Sequence, residues 1–141
     1  MSHRIVSLAS MLRRSANDCI EKQLRDRGFT KMVPSHGDIL QCLFHKGSLS
    51  MQDLAKQIKR TKATTTVLVD RLEDEGLVKR SKSDRDSRIT LLSLTKKGKS
   101  LEGIFNTIAD ELDKRVMCNL SADEAELLEQ LLEKAISGFS N

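Results

Sequence analysis

The chain has 141 residues, with 24 Lys and Arg against 20 Asp and Glu for a net charge of +4; 38% of residues are apolar and 31% charged, a globular composition long enough to bury a core. Aromatic residues make up 3%, with four Phe and neither Trp nor Tyr, which argues against the exposed stacking rings that single-stranded nucleic acids need. No apolar run approaches the roughly 18 residues of a membrane span, and Ile5 to Leu12 carries two Ser and runs into Arg13-Arg14, unlike a secretory leader, so the expectation is a cytoplasmic protein with no membrane partner.

The charge is unevenly spread. From Lys46 to Lys99 there are 14 basic and 7 acidic side chains, a local +7, whereas the remainder of the chain is acidic by 3. A basic middle between acidic ends suits a polyanionic partner, and on charge alone it suits a merely solvated face equally well. Cys19, Cys42 and Cys118 are odd in number and far apart, and with His3, His36 and His45 they make no metal-ligand spacing. They read as small buried hydrophobes, with no metal and no cofactor expected.

Apolar residues at helical spacing (Ile5, Leu8, Leu12, Ala16, Cys19, Ile20, Leu24) predict a first helix from about His3 to Arg27, stopped by Gly28. Beyond Pro34, Ser35 is the expected cap of a second helix, with Asp38 three positions on, Ile39, Leu40, Leu43 and Phe44 inward, and Gly47 at its end. Ser50, with Asp53 following, caps a short third helix that buries Leu54, Ala55 and Ile58, and Lys59-Arg60 reads as a turn. Thr61 caps a fourth helix reaching Glu75, ended by Gly76. The period then changes. Leu77 to Arg80 and Arg88 to Leu94, joined by the polar stretch SKSDRDS, predict a β-hairpin. Thr95 opens a long fifth helix with Leu101, Ile104, Phe105, Ile108, Leu112 and Val116, broken at Asn119-Leu120. Ser121 and Glu124 form a capping box before a sixth helix with Leu128, Leu131, Leu132, Ala135, Ile136 and Phe139 inward.

This order makes the chain mainly α with a small β-hairpin wing, a winged helix-turn-helix in which the later helix of the pair enters the major groove of double-stranded DNA. On a wheel of the fourth helix, Thr61, Thr65, Leu68, Val69 and Leu72 share the face that packs on the body. The opposite face holds Lys62, Ala63, Thr66, Val67, Asp70 and Asp74, with Thr64 and Arg71 at its edges. Short and hydroxyl side chains there let the backbone approach a groove, and Thr can bond bases or phosphates while its methyl meets the thymine methyl. The candidate DNA-binding residues are therefore Lys62, Ala63, Thr64, Thr66, Val67 and Arg71, joined on the wing by Lys82, Arg85 and Arg88, with Lys79 and Arg80 on the incoming strand. An Arg-tipped wing suits the minor groove. The plainer readings are an ordinary exposed turn of helix at Thr64-Thr65-Thr66, and pairing of Arg85 and Arg88 with Asp84 and Asp86. For the wing, one Arg held by an acid and the other free is expected.

The pieces LAK at Leu54 to Lys56, TKATTTVLVDRLEDEGLVKR from Thr61 to Arg80, DRDSR from Asp84 to Arg88 and LTKKG from Leu94 to Gly98 resemble the signature of the multiple-antibiotic-resistance regulator (MarR) family of bacterial and archaeal transcription factors, and the length and helix order fit across essentially the whole chain. Two positions depart from that pattern. Family members often carry Gly and an apolar residue where this chain has Lys59-Arg60, and Val where it has Thr65.

The resemblance implies a single MarR-type domain over 1–141. Its winged-helix part would be 32–98, with the helix-turn-helix at about 50–75 and the wing at about 77–94; helices in 1–30 and 96–141 would interlock two subunits. The long apolar stripes of those terminal helices point the same way, since one small winged-helix core could hardly bury them. A homodimer would read a pseudo-palindromic operator with half-sites roughly 34–36 Å apart. Family members commonly repress their target genes, and many release DNA when a small aromatic or phenolic acid binds between the dimerisation and DNA-binding parts. The ligand-binding residues are unknown from sequence: Arg13, Arg14 and His36 are candidates for a carboxylate, and surface positions near helix ends are the plainer reading. One branch senses peroxide through a Cys near the start of helix one, supported by Tyr, whereas here Cys19 is well inside that helix and there is no Tyr.

Two other classes compete with a DNA-binding regulator. A winged-helix protein-interaction module is kept open by the short side chains on the fourth helix, and a thiol-based redox regulator by the cysteines. No nucleophile–base pair, paired acids or Gly-rich phosphate loop is present, Gly98-Lys99 lacking the rest of that motif, so no enzyme is expected.

Overall fold

The computed structural model describes residues 3–140. The elements run α1 (Ile5–Asp26), α2 (Pro34–Lys46), β1 (Ser48–Ser50), α3 (Met51–Ile58), α4 (Lys62–Asp74), β2 (Val78–Lys82), β3 (Thr90–Leu94), α5 (Lys96–Lys99), α6 (Glu102–Met117) and α7 (Ala122–Ser137). They fall into two compact units, one up to Ile108 and one from Ala109 onward.

In the first unit, Ile39, Leu40 and Leu43 of α2, Leu54 of α3, Val69 and Leu72 of α4, and Leu77, Val78, Leu92 and Leu94 of the sheet region form one buried cluster. Leu24, Met32, Leu101, Phe105 and Ile108 complete it. Phe44 is only partly buried, its ring 6.0 Å from that of Phe105. The sheet is antiparallel in the order β1-β3-β2, with Val78 opposite Leu94 and Leu49 opposite Leu92. β1 was not expected: three residues are too few for an alternating pattern, and what makes them a strand is the free edge of β3.

Four boundaries differ from the sequence reading. Helix α2 starts at Pro34 and not behind a Ser35 cap, because proline presets the helical φ at the first position. The side chain at its third position, His36, accepts the Val33 N–H through Nδ1 at 3.0 Å. The wing strands are Val78–Lys82 and Thr90–Leu94, so Arg88 lies in the connecting loop, which Ser83 N–H to Ile89 O and Ile89 N–H to Asp86 O close at 3.0 Å each. The expected fifth helix is divided into α5 and α6, where Leu101 N–H bonds Gly98 O three residues back at 3.1 Å and tightens the turn. Phe139 lies beyond the end of α7 and is 88% exposed.

In the second unit, Ser121 and Glu124 make the expected reciprocal cap, Glu124 N–H to Ser121 Oγ at 3.1 Å and Ser121 N–H to Glu124 Oε1 at 2.9 Å. No residue of α7 is buried. Leu128, Leu131, Ala135 and Ile136, read as inward-facing, are exposed, and Leu132 is half-buried. Helix α1 is similar: Ile5, Leu8 and Leu12 are exposed, and Leu24 is its one buried residue. Helical period identifies an apolar face without saying what covers it.

Candidate nucleic-acid interface

Thr61 caps α4 as expected, its Oγ1 accepting Thr64 N–H at 3.1 Å and donating to Thr64 Oγ1 at 3.0 Å. Thr65, Val69 and Leu72 are buried. Thr65 donates its hydroxyl to Thr61 O at 2.8 Å, so a polar residue stands in the core without an orphaned group. Lys62, Ala63, Thr64 and Val67 are exposed, Val67 by 68%, and Thr66 and Arg71 are half-buried. Thr66 Oγ1 donates to Lys62 O at 2.9 Å, which leaves its lone pairs and methyl for a ligand. The N–H groups of the first turn not taken by the cap are free, as at any helix start.

The turn before α4 depends on Lys59, whose φ of 56° and ψ of 47° place it in the left-handed region. That is the conformation glycine adopts at least cost, so Lys59 holds a position where a glycine would fit more easily. The turn is fixed by Arg60 N–H to Ala55 O at 3.1 Å. On the other side of α3, Ser50 Oγ accepts Asp53 N–H at 3.0 Å.

On the wing, Arg88 and Asp86 form a two-pronged pair, Nε to Oδ1 and Nη2 to Oδ2 at 3.1 Å each. This pairing holds the Asp86 carboxyl below the ordinary carboxylate range and raises Arg88. The Arg85 side chain is exposed and has no bonded partner among the described residues, its backbone N–H going to Ser83 Oγ at 3.2 Å. Lys82 Nζ is 3.4 Å from Ser87 O. Arg80 is committed elsewhere: its Nη2 donates to Asp70 Oδ1 and its Nε stands 3.8 Å from Glu73 Oε2. This clamp between β2 and α4 joins residues ten apart across a turn, and no local spacing announces it.

Between the start of α3, the exposed face of α4 and the base of the wing lies a groove of about 360 Å³ whose walls include Ser50, Gln52, Lys62, Thr66, Arg80 and Arg88. It brings together three of the expected residues, Lys62, Thr66 and Arg88. Ala63, Thr64, Val67, Arg71, Lys82 and Arg85 are not among its walls. Ser50 and Gln52 are additions that the sequence reading missed, because the wheel was drawn for α4 alone.

The candidates for a carboxylate separate. His36 is 5% exposed and not a surface residue; burial, seconded by Arg71, lowers its pKa, and Glu75 opposes. With Nδ1 occupied by Val33, it serves as a helix cap. Arg13 lines a second groove of about 470 Å³ with Asp38, Cys42 and Arg60, and Arg14 is exposed. Burial raises the Asp38 pKa, against Arg13 and Arg60. Burial also raises Cys42, helped by Asp38, which keeps it a thiol where a sensor needs a thiolate. Cys19 is half-buried and Cys118 exposed. Among the described residues no His, Cys, Asp and Glu cluster could hold a metal ion, and no helix is long and apolar enough to cross a membrane.

The sequence model for the MarR family matches residues 33–90. The chain is 31% identical over 134 residues to the HTH-type transcriptional regulator MhqR of Bacillus subtilis (strain 168), covering 94% of this chain and 90% of that protein. Its fold is similar to that of MepR of S. aureus in complex with DNA, with a TM-score of 0.87, 25% identity and 98% and 100% of the two chains covered. It is also similar to BpsR of Bordetella bronchiseptica, whose DNA binding is regulated by 6-hydroxynicotinic acid, with a TM-score of 0.82, 20% identity and 94% and 98% covered. Of these, MhqR is a transcriptional regulator and MepR was solved bound to DNA.

Proposed function

We propose, from the premise that this chain belongs to the MarR family, that it is a sequence-specific transcriptional regulator of double-stranded DNA. The observation that carries this reading is the groove in which the exposed start of α4 meets the wing, with Lys62, Thr66 and Arg88 on one wall system. Helix α4 enters the major groove through Lys62, Ala63, Thr64, Thr66, Val67 and Arg71, and the wing presents Lys82, Arg85 and Arg88 to the adjoining backbone and minor groove. Two copies, joined through the uncovered apolar faces of α1 and α7, read a pseudo-palindromic operator. The protein acts in the cytoplasm as a repressor, and a small aromatic or phenolic ligand releases it by favouring a dimer whose half-site spacing no longer fits the duplex. The regulation of BpsR by 6-hydroxynicotinic acid supports that last step.

The test is fluorescence anisotropy on a duplex of the gene's own upstream region and on a random duplex, across a salt series, with and without 6-hydroxynicotinate and salicylate. Expected are tighter binding to the upstream duplex, a slope of about −0.9 per phosphate neutralised, and release by an aromatic acid. No binding to either duplex at low salt would overturn the regulator reading; binding that neither acid weakens counts against the effector class alone.

A further inference from the structure

Each of the four helices that precede the wing ends in a residue of the left-handed region: Gly28 beyond α1 (φ 89°), Gly47 beyond α2 (78°), Lys59 beyond α3 (56°) and Gly76 beyond α4 (74°). A Cβ on any of those three glycines would meet nothing within 4 Å, so glycine stands there for its backbone freedom and not for want of space. Lys59 is the exception among the described residues, and it stands three residues before the start of α4. Nothing within the chain offsets the cost of that conformation. Its backbone N–H bonds Lys56 O at 3.3 Å, as a glycine's would, and its side chain is exposed, with no hydrogen bond or ion pair among the described residues.

The surroundings show what this side chain suits. Lys56, Lys59, Arg60 and Lys62 place four exposed cations within seven residues, with no acid among them. Arg60 lines a groove with Arg13 and Asp38, and its charge acts on the Asp38 carboxyl, which leaves Lys59 as the unengaged cation of the turn. A hydrated ammonium on a flexible stem is a point-charge ligand for phosphate and lacks the fork with which arginine reads a base. Building on the reading above, in which the start of α4 enters the major groove, we propose that Lys59 is a further DNA contact. Its ammonium sits on a backbone phosphate at the edge of that groove, and lysine is kept in a glycine's conformation for the sake of that charge. The turn before α4 is therefore less stable than it could be and binds DNA more tightly than it otherwise would.

Binding to the upstream duplex and to a random duplex is measured across a salt series for wild type, Lys59→Gly, Lys59→Asn, Lys59→Arg and Lys56→Gln, with melting temperatures alongside. Glycine and asparagine both accept the left-handed region, so these variants remove the charge and keep the turn. Lys59→Gly is expected to melt higher than wild type and yet to bind both duplexes about three- to tenfold more weakly at about 0.15 M salt, its salt slope flattened by about 0.9. Lys59→Asn loses as much affinity, Lys59→Arg binds as wild type does, and Lys56→Gln, the same loss of charge three residues back, loses clearly less. Undiminished binding by Lys59→Gly and Lys59→Asn overturns the proposal, as does a Lys59→Gly that melts no higher than wild type. A loss matched by Lys56→Gln is a general field and not a contact; one shared by Lys59→Arg reports the shape of the turn; one confined to the upstream duplex is base reading. Each of these overturns it too. Wild-type protein that binds neither duplex overturns the regulator reading itself, and this one with it.

Discussion

The carbonyl oxygen of Leu77 lies 2.0 Å from the point where a Cβ on Gly98 would stand, with the Leu77 carbonyl carbon at 3.1 Å and Leu94 Cδ2 at 3.2 Å. Helix α5 is thus laid directly on the backbone at the entry to the wing. Thr95 completes the junction, donating its hydroxyl to Gly76 O at 2.6 Å and its N–H to Leu77 O at 3.0 Å.

Gly98→Ala is expected to destabilise the protein by about 1–3 kcal/mol, the usual range for overpacking. Within a helix alanine gains about 1 kcal/mol over glycine, but no rotamer change can move a backbone oxygen out of the way. Thermal melting decides the sign, and a variant as stable as wild type would mean that α5 is free to lift.

Lys59 offers the opposite case. A left-handed residue other than glycine costs about 1–2 kcal/mol, and glycine returns about 0.5–1 kcal/mol of that as chain entropy. Lys59→Gly is expected to stabilise by about 0.5–1 kcal/mol and Lys59→Val to destabilise by more than 1 kcal/mol, measured by urea unfolding. Equal stabilities would show that the turn is not held in this conformation.

Local and long-range features of the chain were legible from sequence to different depths. Caps at Ser50, Thr61, Thr95 and Ser121 were readable because each is a bond over three residues. So was the pairing of one wing arginine with an acid, though not that it is Arg88 with Asp86. Strand β1 and the Arg80 clamp were not, since each exists only once a distant segment is in place. Seeing Pro34 as a simple loop residue hid the start of α2, and with it the work of His36. At the interface the wheel placed Lys62 and Val67 outward and Thr65 inward correctly, but it could not show that Ser50 and Gln52 share the groove.

His36 gives the protein a pH dependence. Its pKa is lowered in the folded chain from the ordinary 6.5, so the unfolded chain binds the proton more readily, and stability rises with pH in that range. The contribution is present above about 6.5 and is lost as pH falls from there toward the folded value. Protonation would also place a hydrogen on Nδ1, against the Val33 N–H it now accepts. Unfolding midpoints at pH 7.5 and 5.0 should differ more for wild type than for His36→Asn, whose oxygen can accept the same bond. An equal difference would assign the pH step to other groups.

Contacts of two kinds are expected at the DNA face. Arg85→Ala should weaken binding to most sequences and flatten the salt slope by about one phosphate. Thr66→Ala, by removing a hydroxyl and a methyl from the exposed face of α4, should change the ranking of operator variants by about 1–3 kcal/mol at one position. Unchanged ranking would show that α4 meets the groove with a different face.

The uncovered stripe of α7 yields a prediction about assembly. Leu131, 53% exposed in the single chain, becomes a charge in Leu131→Glu, and light scattering should then report a monomer with operator affinity reduced at least tenfold. A dimer that survives the change would place the contact elsewhere.

Arg80 fastens β2 to α4 through Asp70 and Glu73, and β3 carries β1 and β2 on its two sides, so the base of the wing and α4 are joined by side chains as well as by the chain between them. A change in how this joined pair is carried moves α4 and the base of the wing together. On the function proposed above, a signal that alters DNA affinity would act by changing where each copy carries its α4 and wing, so that two copies fall in or out of step with the turns of the duplex.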